Sequence, residues 1–331
     1  MTLAPRLRSA LPVLLLLASL LSLACGGGGG STASTDSSNP KPPIVYGKIR
    51  KTTPVDGDTR EYYVHVPLKY DGKTTVPLLF MFHGTSGDGE KFYNISGWKE
   101  KAEVENFISV YPSSWGYCFT DPDDGLVKQN TKWNDFTLVD ILCAGQTPRD
   151  DVKFVNQMIT ELRAAYNIDA KRIYAAGFSN GGQFTSRLAV DLSDKLAAVA
   201  SNSGSLRPAT VYTPKRKLPI AYMVGNKDDR YMALNNGQPL PMDMAAFFAV
   251  PFFTGVTASY VQSFGLQQTY TLSGAPGVEP VATFASATGA PGNLLHMIVV
   301  KDMTHLYPNG DNFPLSAPNQ QWEFFKLYSL P

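Results

Sequence analysis

One short stretch, residues 177–182, constrains the fold of this 331-residue chain more than any other. It reads G-F-S-N-G-G and lies between the apolar run 172–176 and the segment 183–192, whose apolar residues recur every four positions. This order predicts a strand, a tight turn and a helix. So sharp a turn strains its central residue, Ser179, and glycines two positions away leave room for neighbouring chain. We predict that Ser179 projects its hydroxyl from the top of a sheet as a nucleophile.

Two backbone N–H groups near this serine are candidate donors to an oxyanion. Asn180 begins the predicted helix, where the helix dipole favours negative charge. The apolar run 76–82 predicts a strand buried on both faces, and the glycine-rich turn after it carries Thr85. The N–H of Thr85 is the second candidate donor. We interpret His83, in the same turn, as structural because it precedes the serine.

A carboxylate partner is expected on the loop after the predicted strand 218–224. That loop carries Asp228 and Asp229, of which only one can point at a histidine. We favour Asp228, and Asp229 and the more distant Asp243 remain alternatives.

The base is expected on the loop after the predicted strand 294–300. His305 lies on that loop, where an imidazole can reach Ser179, whereas His296 lies within the strand. His65 lies in a predicted N-terminal strand and is interpreted as structural. The sequence therefore favours His305 as the base.

Predicted strands and helices alternate through most of the chain. This pattern predicts an α/β fold with a mostly parallel central sheet and helices on both faces. The strand-like segments 44–51 and 60–67, separated by the turn-rich residues 54–58, predict an antiparallel hairpin at a sheet edge. Asp150 and Asp151 precede an amphipathic helical pattern and are interpreted as helix caps.

Two segments interrupt the alternation. The segment 113–138 is predicted to be a long irregular loop with a functional role, in which Trp115, Tyr117 and Trp133 either line a substrate cleft or pack onto the core. The segment 235–255 is an apolar insertion with several prolines. It is expected to form a cap over the site or a helix packed on the core.

The N-terminal segment is predicted to be a targeting signal. Residues 1–25 have two arginines before an apolar run and end at Cys25, which is typical of a lipoprotein signal peptide with acylation of Cys25. Ser22 departs from that pattern, so a secretory peptide or an uncleaved anchor remains an alternative. Residues 26–43 predict a flexible tether, and residues 44–331 a single catalytic domain.

Composition restricts the partners further. Twenty-nine basic and 28 acidic residues give a net charge of +1, and no basic block suggests nucleic acid. Cys118 and Cys143 are the cysteines inside the folded part, and in an exported protein they suggest one disulfide, with two free thiols as the alternative. Neither has metal-ligand spacing, so no metal site is expected. The oligomeric state is left open.

Taken together, these residues resemble the polyhydroxybutyrate-depolymerase-like and feruloyl-esterase branch of the α/β-hydrolases. The resemblance covers roughly residues 46–331, and the segment 150–182 is its most specific part. Its motifs are H-G at 83–84, the helix and turn of 150–182, G-N-K-D at 225–228, and T-H-L-Y-P at 304–308 followed by W-E-F-F at 322–325.

The resemblance implies an α/β-hydrolase fold and a serine carboxylesterase without a metal or organic cofactor, with catalytic roles for Ser179, Asp228 and His305. Its substrate would be a polymer-linked or polymer-derived ester. The chain departs from the family at two positions. Thr85 stands where cysteine or another small residue is usual, and Tyr307 stands where tryptophan is usual. These departures leave feruloyl, acetyl and hydroxyalkanoate esters open. A serine peptidase and a non-catalytic polysaccharide-binding lipoprotein on this fold are the alternatives.

Overall fold

The computed structural model describes residues 43–122 and 124–331. The predicted signal peptide, Cys25 and all of the predicted tether before Pro43 lie outside the described residues. The described chain from Ile44 onward forms one compact unit. Within the described ranges, no helix is both long and apolar enough to cross a bilayer.

The unit is built on a ten-stranded sheet and a separate two-stranded hairpin. The strands are β1 (Gly47–Val55), β2 (Asp58–Val66), β3 (Val76–Phe82), β4 (Ile108–Pro112), β5 (Trp115–Thr120), β6 (Val127–Lys132), β7 (Ile168–Phe178), β8 (Ala198–Asn202), β9 (Ile220–Gly225), β10 (Thr271–Ala275), β11 (Glu279–Ala285) and β12 (Leu294–Val300). The helices are α1 (Gly89–Ile95), α2 (Trp98–Glu105), α3 (Leu138–Ile141), α4 (Asp151–Ala165), α5 (Asn180–Asp191), α6 (Asp229–Ala233), α7 (Met244–Ala249), α8 (Pro251–Phe264) and α9 (Ala317–Phe325).

The order of the large sheet is β1-β2-β4-β3-β7-β8-β9-β12-β11-β10. Its six central strands, from β4 to β12, pair in parallel. The hairpin β1–β2 adds to one edge in antiparallel pairing, as predicted. A second antiparallel pair, β10–β11, extends the other edge. The sequence did not predict this pair, because every residue of β10 is exposed and the strand has no apolar alternation.

Both faces of the sheet are covered by helices. Along β3, Leu78 and Phe80 belong to one core, with the buried faces of α4, α5 and α8, whereas Leu79 and Met81 belong to a second core with α1, α2 and α9. A strand buried on both faces has no polar face, which explains the continuous apolar run in its sequence. Because the six central strands are parallel, their carboxyl ends share one edge of the sheet, where loops are free to carry function.

The predicted irregular segment 113–138 contains the antiparallel hairpin β5–β6. Pattern analysis missed β6 because its sequence, V-K-Q-N-T-K, has few apolar residues and its pairing depends on backbone hydrogen bonds. A disulfide between Cys118 and Cys143, with their Cα atoms 5.4 Å apart, ties β5 to the chain after α3. The hairpin pairing and the disulfide together therefore hold this segment in a defined structure.

The insertion 235–255 mainly packs on the core. Phe247 of α7 and Phe253 of α8 are fully buried, and their ring centroids are 4.2 Å apart. Phe252, next in sequence to Phe253, lines the cleft described below. Of the two structures expected for this segment, the core-packed helix is the one present, and it contributes a single phenylalanine ring to the cleft.

The two aspartates at the start of α4 have different roles. Asp150 caps the helix by accepting a hydrogen bond from the Lys153 N–H at 2.8 Å. Asp151 is buried instead, where its carboxylate pairs with Arg60 at 2.6 Å and accepts from the Asn134 N–H at 2.7 Å. Burial raises the pKa of Asp151, and the Arg60 guanidinium opposes that shift. The interpretation of Asp151 as a cap was therefore wrong, because its side chain turns inward to a cation on β2.

Replacing Arg60 by methionine should leave the Asp151 carboxylate buried without its cation. We expect the free energy of unfolding at neutral pH to fall by about 3–5 kcal/mol. The loss should shrink at acid pH, because a group whose pKa is raised by folding destabilises the native state only once it ionises. Urea unfolding at two pH values measures this. The double variant Arg60→Met/Asp151→Asn is the control, and a double variant as unstable as the single one would contradict the buried-charge explanation.

Candidate active site

Ser179 lies at the junction of β7 and α5 with φ 54° and ψ −123°, a conformation that non-glycine residues rarely adopt. The close packing of backbone around it requires glycine. A Cβ at Gly177 would collide with the carbonyl oxygen of Gly181, and one at Gly181 would collide with that of Phe82. Two backbone bonds fix the turn, since the Ser179 N–H donates to the Asn202 carbonyl at 2.8 Å and the Gln183 N–H donates to the Ser179 carbonyl at 2.9 Å.

His305 lies on the loop after β12 and contacts two of the predicted site residues. Its Nδ1 is 2.8 Å from Asp228 Oδ2, and its Nε2 is 3.0 Å from Ser179 Oγ. Because a carboxylate can only accept, Nδ1 carries the hydrogen and Nε2 is left to accept from the serine hydroxyl. The structure thus brings Ser179, His305 and Asp228 into one chain of hydrogen bonds.

Of the two neighbouring aspartates, Asp228 is the one that faces the histidine. It is fully buried and caps α6, where its Oδ1 accepts from the Arg230 N–H at 3.2 Å. Asp229 is the first residue of that helix and is exposed. Asp243, the third alternative, caps α7 by accepting from the Ala246 N–H. The cap bond holds the Asp228 carboxylate in place before any substrate arrives.

The loops that carry the acid and the base are bonded to each other. The Asn226 side-chain oxygen accepts from the Asp302 N–H at 2.7 Å, and the Lys227 N–H donates to the Met303 carbonyl at 3.0 Å. A Cβ at Gly225 would collide with that same carbonyl, so the close approach needs glycine there. The loop of His305 therefore helps to position the Asp228 carboxylate, and the loop of Asp228 helps to position the His305 imidazole.

The candidate oxyanion donors lie on either side of Ser179. Asn180 is the first residue of α5, a position whose N–H has no partner within the helix. Thr85 follows Gly84, at which an added Cβ would lie 3.2 Å from the Ser179 Cβ. Across residues 43–122 and 124–331, no backbone acceptor pairs with the Thr85 N–H.

His83 fixes the turn that carries Thr85. Its ring is fully buried, with Nε2 accepting from the Ser114 N–H at 3.0 Å and Nδ1 donating to the Gly84 carbonyl at 2.7 Å. Burial lowers the pKa of His83 to about 4, so the ring is neutral and keeps this tautomer near neutral pH. The interpretation of His83 as structural is supported.

The two remaining histidines are far from this chemistry. His65 bonds Tyr93 and Glu103 on the opposite edge of the sheet. His296 packs against Phe324, and burial lowers its pKa.

One buried polar contact at the site was missed by the sequence analysis. The Asn180 side chain accepts from the Trp133 N–H at 2.6 Å and donates to Asp135 Oδ2 at 2.9 Å. The other oxygen of Asp135 accepts from the N–H groups of Thr137 and Leu138. This network locks the start of α5 to the chain after β6. No local motif signals it, because it joins residues 45 apart in sequence.

A cleft of about 370 Å³ opens over Ser179 and His305. Tyr117 and Trp133, which were candidate cleft residues, are buried and do not line it, and neither does Trp115. Of the two roles left open for these residues, packing on the core is the one present, since Trp133 stacks on Phe184 and its Nε1 donates to the His83 carbonyl. The walls are formed instead by residues that include Thr85, Lys132, Asp135, Phe136, Ile141, Asn180, Leu206, Arg207, Leu234 and Phe252. In the described part of the chain, no group of three or more His, Cys, Asp or Glu residues is placed to hold a metal ion.

Known proteins with similar sequence and structure are esterases by name. The chain is 30% identical over 181 residues to a bifunctional acetylxylan esterase/xylanase of Neocallimastix patriciarum, covering 52% of this chain and 22% of that protein. It is 30% identical over 177 residues to a feruloyl esterase B of Piromyces equi, covering 52% and 30%. An acetyl xylan esterase from Aspergillus awamori matches in structure with a TM-score of 0.51 at 16% identity, over 84% of this chain and 99% of that one.

The chain has the α/β-hydrolase fold, and over about half of its length its sequence is similar to feruloyl and acetylxylan esterases. The predicted fold class is thereby confirmed. No protein-family model matches this chain. It spans less than a third of the length of the two relatives named above. Their names therefore suggest a reaction class, and the chain's own residues have to carry the proposal of what it does.

The two aspartates of the acid loop offer a matched test of the geometry. In Asp228→Asn the side chain keeps its size, but the amide no longer holds the His305 tautomer, so we expect the rate of phosphonylation of Ser179 by a fluorophosphonate to fall by about 10⁴. Asp229→Asn, one residue away and exposed, should react within about twofold of wild type. Equal losses in the two variants would contradict the assignment. Mass spectrometry of the labelled protein gives both rates.

Proposed function

We propose that this protein is a serine carboxylesterase that hydrolyses polysaccharide-linked esters. The observation that carries the proposal is the hydrogen-bonded chain Ser179–His305–Asp228 at the base of an open cleft. The strained serine and the two N–H groups beside it are the remaining parts of an acyl-transfer site. The sequence similarity to acetylxylan and feruloyl esterases supports the same class of reaction.

The first half of the proposed reaction forms an acyl-enzyme. His305 Nε2 accepts the Ser179 proton as Oγ attacks the ester carbonyl carbon, and Asp228 stabilises the resulting imidazolium. The carbonyl oxygen becomes an oxyanion that accepts from the N–H groups of Thr85 and Asn180. When the intermediate collapses, the C–O bond to the alcohol breaks and the imidazolium returns the proton to the leaving alkoxide.

The second half repeats these steps with water in place of serine. His305 takes a proton from the water that attacks the acyl carbon, and Ser179 leaves with a proton from the imidazolium. The free acid departs and the hydrogen-bonded chain is restored. Each proton thus passes through one nitrogen, His305 Nε2.

The lining of the cleft suits an ester that joins an acyl group of moderate size to a polar alcohol. Phe136, Ile141 and Phe252 provide apolar wall, and Asp140 and Arg207 provide polar wall in the same cleft. Apolar walls with a few polar groups suit an aromatic or acetyl ester of a sugar. Of the esters left open by the sequence, feruloyl and acetyl esters are therefore proposed ahead of hydroxyalkanoate oligomers.

Export of the protein is also proposed. The N-terminal sequence has the features of a lipoprotein signal ending at Cys25, followed by a polar tether and the catalytic domain. The Cys118–Cys143 disulfide agrees with an oxidising compartment. A lipid on Cys25 would keep the domain 44–331 close to a membrane while leaving its cleft open to polymer.

Replacing Ser179 by alanine tests the proposed reaction. Wild type should release ferulate from methyl ferulate or acetate from acetylated xylan, and Ser179→Ala should lose about 10⁵-fold or more of the rate because the nucleophile is gone. Ser273→Ala, on the exposed edge strand β10, is the matched control and should keep full activity.

The substrate panel separates the alternatives. Turnover of a hydroxybutyrate dimer alone would move the assignment to polyester oligomers, and cleavage of a chromogenic peptide alone would indicate a peptidase. A folded wild type that binds xylan but neither turns over an ester nor reacts with a fluorophosphonate would contradict the proposal and favour a binding lipoprotein.

A further inference from the structure

A buried lysine lines the cleft beside the candidate oxyanion site. Lys132, the last residue of β6, is 9% exposed and lines the same cleft as Ser179. Its ammonium donates one hydrogen bond, to Thr85 Oγ1 at 3.3 Å, and lies 4.8 Å from the centroid of the Phe119 ring. It forms no ion pair with any described residue of the chain. The reaction as proposed so far makes no use of this side chain.

Burying an ammonium without a paired carboxylate is unfavourable. Burial lowers the pKa of Lys132, the carboxylates of Asp135 and Asp121 oppose that shift, and Lys128 adds to it. A lysine that served only to hold the fold would be expected to have a paired acid. An ammonium has three hydrogens to donate, and the structure shows one acceptor for them among the described residues. A buried charge of this kind at a cleft is typical of a functional side chain.

The bond from Lys132 also determines the hydrogen-bonding role of the Thr85 hydroxyl. An ammonium can only donate, so Thr85 Oγ1 is the acceptor of that bond and its own hydrogen is left for another partner. Thr85 adjoins Gly84, which packs against Ser179, and both Thr85 and Ser179 line the cleft. The hydroxyl hydrogen therefore remains available for a group bound in the cleft.

The strand and the turn are joined by two further bonds. The Ser86 N–H donates to the Thr131 carbonyl at 3.0 Å, and Thr131 Oγ1 donates to the Gly87 carbonyl at 2.6 Å. These bonds flank the Lys132–Thr85 contact and fix its distance. The Lys132–Thr85 pair is thus held in place in advance, as electrostatic stabilisation of a transition state requires.

We propose that Thr85 is a side-chain donor to the oxyanion and that Lys132 is its positioning residue. Lys132 orients the Thr85 hydroxyl and polarises it, so that a charge-assisted O–H donor joins the two backbone N–H groups. No covalent bond forms or breaks at either residue. The proposal rests on the proposed esterase function and extends it to a third donor.

Four variants test the pair with methyl ferulate as substrate. Lys132→Met removes the charge at nearly constant length, and Thr85→Val removes the hydroxyl at nearly constant shape. We expect each to lower kcat by about 10- to 100-fold with KM within about threefold, because the lost bond exists only in the transition state. The double variant should be no slower than the slower single variant, since the two side chains act as one unit. Thr85→Ser should retain most of the activity.

A pH profile distinguishes this role from a structural one. The charged form of Lys132 is the active one, so wild-type kcat should fall as alkaline pH removes its proton, at a pH below the usual lysine range. The groups facing Lys132 are Asp121, Lys128 and Asp135, and His305 shares the cleft. Lys132→Met should therefore lack the alkaline fall, whereas Lys153→Met, on the surface of α4, should keep it.

Three results would overturn the inference. These are unchanged kcat in Lys132→Met, losses in the two single variants that multiply in the double variant, or a rise in KM alone for substrates with a carboxylate, which would make Lys132 a substrate-binding residue. Thermal unfolding of each variant shows whether a loss reflects misfolding, and Thr85→Ser provides a folded variant if Thr85→Val is unstable. A wild type without ester hydrolysis would contradict the proposed function itself, which is a different outcome from an active wild type that is insensitive to Lys132.

Discussion

The close approach of backbone to backbone around Ser179 is the constraint on which the rest of the site depends. A Cβ at Gly177, Gly181 or Gly204 would collide with backbone atoms there, and the collision at Gly204 would be with the carbonyl oxygen of Ser179 itself. The end of β3 and the chain after β8 therefore approach the turn between β7 and α5 more closely than side chains would allow. This packing offsets the strain of a serine at positive φ and leaves its hydroxyl in the cleft.

The other parts of the site are held by bonds between loops that come from different strands. The acid and base loops bond to each other through Asn226, and Asp228 is fixed as a helix cap before it meets His305. On the opposite side, His83 and the hairpin β5–β6 hold the turn that carries Thr85. A reaction that needs donors in place before charge develops is well served by such fixed loops, because little reorganisation is then needed in the transition state.

The sequence predicted those parts that depend on local geometry or on strand order. Glycine spacing identified Ser179, and the loops that follow buried strands identified Asp228 and His305, which the structure brings together. Contacts made between distant segments carry no such signal, as with Asp135 on Asn180 or Lys132 on Thr85. Aromatic composition left two roles open for rings such as Trp133, because it shows that the rings are present and not which way they face. An exposed strand such as β10 has no apolar pattern to detect.

If an acyl group passes through Ser179 during the reaction, it can be trapped there as a covalent adduct. Protein mixed with methyl ferulate would be acid-quenched within milliseconds and digested, and the peptides analysed by mass spectrometry. We expect a feruloyl adduct on the peptide that contains Ser179, which accumulates in a variant slowed at deacylation and is absent from Ser179→Ala. Ferulate release by Ser179→Ala at the wild-type rate, or an adduct on another residue, would contradict it.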